Sequence, residues 1–222
     1  APVAADPDTF YVAQGFICSN YKGEIDNLGR GGSDYSAALM GAAIGASEVQ
    51  IWTDIDGMHN NDPRFVEHTY PIRNMSFDEA AELAYFGAKI LHPATIQPCK
   101  DKCIPVLLKN TMDPHAPGTT ISNCDDNSKS FHAVAAKDTV IRIHSARMLM
   151  AYGFLRKVFE IFEQYRTPID MITTSEVAVS LTVDSDKHLD EIVAELEKLG
   201  TIEIERNNSI VCVVGRMEHG DA

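Results

Sequence analysis

The chain has 222 residues, of which 45% are hydrophobic and 8% aromatic, ordinary for a globular protein and enough to bury a sizeable core. Its 32 acidic residues against 19 basic ones give a formal net charge of −13, which argues against a nucleic-acid partner or an anionic membrane surface, since both need clustered Lys and Arg. No apolar run approaches the ~20 residues of a membrane-spanning helix, no leader pattern opens the chain, and five cysteines without a CxxC pair argue against a disulfide framework or structural zinc. The expected compartment is a reducing cytoplasm.

Residues 10–18 are apolar and β-prone and 20–27 are turn-rich, which predicts a strand and hairpin arm. Residues 28–34 read Leu-Gly-Arg-Gly-Gly-Ser-Asp and run into a small-residue stretch, predicting a helix over 33–45. A short buried strand at 49–52 ends in the polar loop 53–57, of the kind that carries ligands at strand C-termini in α/β folds. Ser76-Phe-Asp-Glu79 is a capping box that opens a helix over 77–90, ended by the His92-Pro93 break. With a further strand over 104–108, strands alternate with helices over 10–110 and imply a mostly parallel, doubly covered sheet.

Residues 112–130, with Pro114, Pro117, Gly118, Asn123, Asp125, Asp126 and Asn127, read as loop and linker. A second rhythm follows. A strand at 140–145 precedes an amphipathic helix over 153–164, with Phe154, Leu155, Val158, Phe159 and Phe162 on one face. Strands at 169–173 and 177–183, a helix carrying Leu189, Ile192, Val193, Leu196 and Leu199, and a strand at 201–205 complete a β-α-β-β-α-β order, which is ferredoxin-like.

Three segments of the first region carry chemistry. A glycine-rich turn entering a helix offers unpaired backbone N–H groups and the positive end of the helix dipole. Within it, Arg30 adds a planar fork for a carboxylate or phosphate, and Asp34 could hold an amine. Alone, such a loop is equally a tight turn with close helix packing. The segment from Trp52 to Arg64 supplies a hydroxyl, carboxylates, a ring and an arginine, an inventory suited to a purine nucleotide. Phe86-Gly-Ala-Lys-Ile-Leu-His-Pro93 puts Lys89 on a last helical turn, in reach of a phosphate. Cys99 and Cys103 read as buried thiols, and His144 and His188 as structural.

In this order the three segments resemble the aspartate kinases of the amino-acid kinase family, and the resemblance covers nearly all 222 residues. It implies that Arg30 grips a substrate carboxylate, with Gly31, Gly32, Ser33 and Asp34 completing the amino-acid site. It also implies nucleotide contacts at Thr53, Asp54, His59, Arg64 and Lys89, His59 standing where relatives commonly have Tyr. Arg30 and Lys89 are the catalytic candidates. The implied reaction moves the γ-phosphoryl group of ATP to the β-carboxylate of L-aspartate, giving 4-phospho-L-aspartate, the first step toward lysine, threonine and methionine. Mg²⁺ would bridge the phosphates and no covalent enzyme intermediate is needed; no metal site of the protein's own is expected. The family's Lys-Phe-Gly-Gly segment and the early helical half of its kinase domain have no counterpart here, so a fragment from mid-kinase onward, inactive alone, is expected.

Residues 145–155 and 169–177 resemble the effector-binding ACT region of lysine-sensitive aspartate kinases. That implies effector contacts at Met148, Gly153, Phe154, Leu155, Asp170, Ser175 and Glu176, with lysine the first expected effector and threonine the second. Such modules pair between subunits, implying a homodimer. The family's second ACT unit would begin with strands at 131–137 and 210–214 and be incomplete. The expected fold is thus α/β: the C-terminal half of an αβα-sandwich kinase domain over 1–122, a linker and first strand over 123–138, a ferredoxin-like ACT domain over 139–207, and a truncated second unit over 208–222. Two other readings are another amino-acid kinase and an amino-acid-binding regulatory ACT protein with a degenerate kinase half.

Overall fold

The computed structural model describes residues 9–63, 66–86, 91–123, 133–146, 152–175 and 178–215. It opens with a small antiparallel hairpin, β1 (Ile17–Ser19) and β2 (Ile25–Asn27). Only the end of the expected strand at 10–18 takes part in it. Helix α1 (Gly32–Ile44) follows and stops at Gly45, whose φ of 65° suits only a residue without a β-carbon penalty. Strand β3 (Val49–Thr53) comes next, its Val49 and Ile51 buried and its Gln50 and Trp52 exposed. Then come β4 (Asn74–Ser76) and α2 (Phe77–Phe86). The expected capping box is made in full: Glu79 N donates to Ser76 Oγ (3.2 Å) and Ser76 N donates to Glu79 Oε2 (2.8 Å). The remainder of the expected helix, 87–90, lies outside the described residues.

A 3-10 turn at Pro93–Thr95 and a short α3 (Gln97–Asp101) lead into β5 (Val106–Asn110) and β6 (Thr119–Ser122). The last of these lies inside the stretch read as linker. Its Thr119 and Ile121 are buried, so the alternation Thr-Thr-Ile-Ser was a strand signal hidden behind the Pro- and Gly-rich hairpin loop before it. The sheet order is β3-β5-β6-β4, with β3 parallel to β5, β4 parallel to β6, and β5 antiparallel to β6. The sheet is therefore mixed, because β5 and β6 are joined by a hairpin and not by a helical crossover.

Strand β7 (Ala133–Ala146), helix α4 (Phe154–Gln164), strands β8 (Met171–Thr174) and β9 (Ala178–Val183), helix α5 (Leu189–Glu197) and strand β10 (Thr201–Val214) complete the chain. They form a second sheet in the order β10-β7-β9-β8. With two helices inserted in the β-α-β-β-α-β sequence, this is the ferredoxin-like arrangement expected. Strands β7 and β10 run 14 residues each, where shorter, separate strands were expected. Asn207 takes a φ of 59°, yet β10 continues through it, as Asn tolerates that conformation.

The chain divides into two compact units, one comprising residues up to Ala135 and from Val211 on, the other Ala136–Ile210. The first is built around Met58, Met75, Leu83, Val106, Leu108 and Ile121, all 2% exposed or less. The second packs α4 and α5 on its sheet through Ile143, Val158, Val179, Leu189 and Ile192. Each boundary falls within a strand, so β7 and β10 belong to both units.

Replacing Ser76 by Ala removes the acceptor for Glu79 N and is expected to cost about 1 kcal/mol of stability. Urea unfolding should show a lower midpoint at unchanged slope; an unmoved midpoint would mean the cap contributes nothing.

Candidate functional site

The entrance to α1 depends on glycine. Gly31 is the N-cap at φ 71° and ψ 15°, in the left-handed region, and no side chain caps the helix. A β-carbon on Gly31 would lie 2.7 Å from Thr95 Cγ2 and 3.2 Å from His92 Cβ. One on Gly32 would lie 2.9 Å from Leu28 Cβ and 3.0 Å from Phe16 Cδ2. The loop is thus pressed against His92 of the Lys89 segment and Thr95 just beyond it, and Thr95 is fixed there by its hydroxyl donating to His92 O (2.6 Å). Two of the three sequence segments meet at this contact. Behind it, Phe16 N donates to Ser36 Oγ (3.0 Å), which donates to Gly32 O (2.9 Å), tying β1's approach to the first helical turn.

Around this uncapped turn Arg30 and Ser33 are exposed and Asp34 is half-buried. Burial lifts the Asp34 carboxyl above its ordinary range. Gly41 sits over Val49 so closely that a β-carbon would approach Val49 Cγ2 to 2.4 Å. After only a short connection β3 therefore runs back along α1. The N-terminus of α1 and the C-terminal end of β3 share one edge of the sheet, the edge at which α/β folds bind ligands.

At that edge Thr53 stands opposite Asn110 of β5, and its hydroxyl donates to Asp54 Oδ1 (3.1 Å). The loop beyond is held by Thr119. Met58 N donates to Thr119 Oγ1 (2.8 Å), which donates to Ile72 O (2.6 Å), and a β-carbon on Gly57 would meet that hydroxyl at 2.4 Å. His59 is 14% exposed, with Nε2 2.6 Å from Asp56 Oδ1 and Nδ1 2.8 Å from Thr69 Oγ1. A carboxylate only accepts, so Nε2 carries a proton toward Asp56, while Nδ1 pairs with the Thr69 hydroxyl. Both ring nitrogens are occupied within the chain, which leaves the ring face as the part able to meet a base. Arg64 and Lys89 lie outside the described residues. Asp56, Thr69 and Thr119 were not singled out in the sequence.

In the second unit, Gly153 is the N-cap of α4 at φ 81°, again without a side-chain cap, and open space surrounds the position of its missing β-carbon. Phe154 is buried in the core and Leu155 packs against it. Ser175 closes the β8–β9 turn: its N donates to Ala178 O (2.8 Å) and its hydroxyl accepts from Ala178 N (3.1 Å). Asp170, just before β8, has a side chain only 2% exposed, with Lys137 Nζ 3.2 Å from its Oδ1. Met148 and Glu176 lie outside the described residues.

These residues fall into two groups. Register places Met171 beside Thr182 and Thr174 beside Val179, while Ala178 pairs with Ala146 and Val183 with Ile141. Ser175 and the start of α4 therefore lie at the Ala146 end of the sheet, and Asp170 at the opposite end, roughly 16 Å away at ~3.3 Å per residue.

Comparison with known proteins gives the following. The family model described as the amino acid kinase family matches residues 3–110. The chain is 41% identical over 221 residues to the chloroplastic aspartokinase 1 of Arabidopsis thaliana, covering 94% of this chain and 39% of that one. Two crystal structures of E. coli aspartokinase III are 42% identical over 91% of this chain and 47% of theirs. The complex with lysine and aspartate, in the T-state, superposes with a TM-score of 0.77, and the complex with aspartate and ADP, in the R-state, with 0.79. The chain thus spans less than half the length of each.

Because the Asp34 carboxyl is raised by burial, the folded chain holds a proton that the unfolded chain has already released. Stability from this group falls as pH rises from the ordinary carboxylate value through the raised one, and the penalty persists at neutral pH. Asp34→Asn is therefore expected to be more stable than the parent at pH 7, with the gap closing below the ordinary carboxylate range. Urea titrations at pH 7 and pH 3.5 check this; equal stabilities at pH 7 would discount burial as the cause.

Proposed function

Since the chain belongs to the aspartokinase group of the amino acid kinase family, we propose that it carries the aspartate- and nucleotide-binding side of a phosphoryl-transfer cleft, joined to a unit that binds a regulatory amino acid. The observation that carries the first part is the entrance to α1. Its left-handed Gly31, locked against Thr95 and His92, leaves the positive end of a 13-residue helix without a side-chain cap, between an exposed Arg30 and a half-buried Asp34. A zwitterion with a second carboxylate matches that set. Arg30 and the first-turn N–H groups take carboxylate charge, while the ammonium of the substrate would pair with the Asp34 carboxyl and favour its charged form.

In the reaction so proposed, a β-carboxylate oxygen of L-aspartate attacks the γ-phosphorus of ATP, the acyl-phosphate O–P bond forms, and the bond to the β-phosphate oxygen breaks to release ADP. No proton need move, so the protein's part is positioning and charge neutralisation. Thr53, Asp54 and His59 at the end of β3, with Arg64 and Lys89, are the proposed nucleotide contacts, the two cations at the phosphates. Among the described residues no three His, Cys, Asp or Glu side chains are placed to cage a metal. Mg²⁺ would be held mainly by substrate phosphates, with the exposed Asp54 able to take one of its positions, and would supply charge neutralisation there.

For the second part we assign the kinase half to residues 1–122 and the regulatory ACT module to 139–207, with lysine, or else threonine, as effector. The carboxylate would sit on the N–H groups at Gly153–Leu155 and the amine at Asp170. Those two groups lie at opposite ends of β8, an edge strand with all four residues exposed. Antiparallel pairing of two such edges in a homodimer would bring opposite ends together and complete two equivalent sites.

Titrating L-aspartate into the chain while following thermal unfolding tests the cleft. Saturable stabilisation is expected, about 2.7 kcal/mol at a hundredfold excess over Kd. Arg30→Ala should weaken it by ~10–100-fold, the scale of one charge-assisted hydrogen bond pair, without altering stabilisation by ADP. An aspartate response identical in parent and Arg30→Ala would overturn the assignment.

A further inference from the structure

Asp170 cannot stay ionised in its position without a cation, because a carboxylate removed from water is costly unless paired. The chain supplies one itself. Lys137 of β7, 21% exposed, reaches Asp170 Oδ1 at 3.2 Å and also pairs with Asp184, whose side chain is 44% exposed. The geometry is informative. In the sheet β9 lies between β7 and β8, so Lys137 reaches past the strand end marked by Asp184 to arrive at Asp170. Asp170 is also anchored through its backbone, its N donating to Thr182 O (2.9 Å), with Met171 N donating to Thr182 Oγ1 (3.2 Å). The acceptor is fixed and the cation is the movable member: a lysine ammonium on a flexible stem with a second, more exposed carboxylate at hand.

We infer that Lys137 is an intrachain competitor for the amine of the regulatory amino acid: it neutralises Asp170 in the unliganded protein and must shift onto Asp184 before an effector ammonium can bind. This rests on the effector reading of Asp170 given above. The competitor has the same chemistry as the ligand it excludes, an alkylammonium, so the exchange leaves the buried charge paired throughout. Apparent effector affinity is then reduced by the fraction of molecules in which Lys137 occupies Asp170. Asp184 sets that fraction by offering Lys137 somewhere else to go.

The test is calorimetric titration of the full chain with L-lysine and with L-threonine, comparing the parent with Lys137→Met and Asp184→Asn. Lys137→Met is expected to bind the effector roughly tenfold more tightly, a change of one decade in Kd, while losing thermal stability that the effector restores. Asp184→Asn, which removes the second carboxylate of the pair, is expected to bind several-fold more weakly. A merely structural ion pair would lower stability in Lys137→Met without changing Kd. If the parent binds neither amino acid, the effector reading itself fails. If the parent binds and Lys137→Met binds equally or more weakly, only the competition fails. Should Lys137→Met not fold, Asp184→Asn decides alone: unchanged or tighter binding there overturns the inference.

Discussion

The contact between Gly31 and the Thr95 side chain is the constraint on which the first unit's site rests. With a β-carbon 2.7 Å from Thr95 Cγ2, no other residue fits without moving either α1 or the 3-10 turn. The missing side chain does two things at once. It lets the backbone take the left-handed turn that starts α1, and it lets His92 and Thr95 close against the helix entrance. Everything proposed for the cleft depends on that pairing: the uncapped N–H groups, Arg30 on the exposed side, Asp34 held where burial raises its carboxyl.

The same logic recurs one layer out. Thr119 is a buried hydroxyl that accepts from Met58 N and donates to Ile72 O, so it fastens the loop after β3 to the segment leading into β4. Gly57 is glycine because that hydroxyl leaves no room for a β-carbon. The loop that presents Asp54 and His59 is therefore a built element with little freedom to rearrange, and its His59 is itself clamped between Asp56 and Thr69. Preorganisation of this kind is what positional catalysis needs.

How much could be read from the chain depended on how far apart the partners stand. Ser76 and Glu79 are three residues apart, and their reciprocal cap was legible at once. The glycines at 31 and 32 were legible as a helix entrance, but the reason for Gly31 lies more than sixty residues on, at His92 and Thr95. Thr119 was missed because its partners are 47 and 61 residues away and its strand hides behind a Pro- and Gly-rich loop. Asp170 was legible through the segment around it, but Lys137 and Asp184 carry no motif; only the ferredoxin-like register brings them to it. The fold class could be read because periodicity is local, whereas the supports of the site could not.

Strands β7 and β10 each give residues to two cores: Ala133, Ala135 and Val214 to the first, Ile141 and Ile143 to the second. Most multi-unit chains cross between units on a polar linker that can fray without cost to either side. Here both boundaries fall inside strands, so each of β7 and β10 changes core along its own length, and the residues at the boundary are strand residues and not a Pro- or Gly-rich linker.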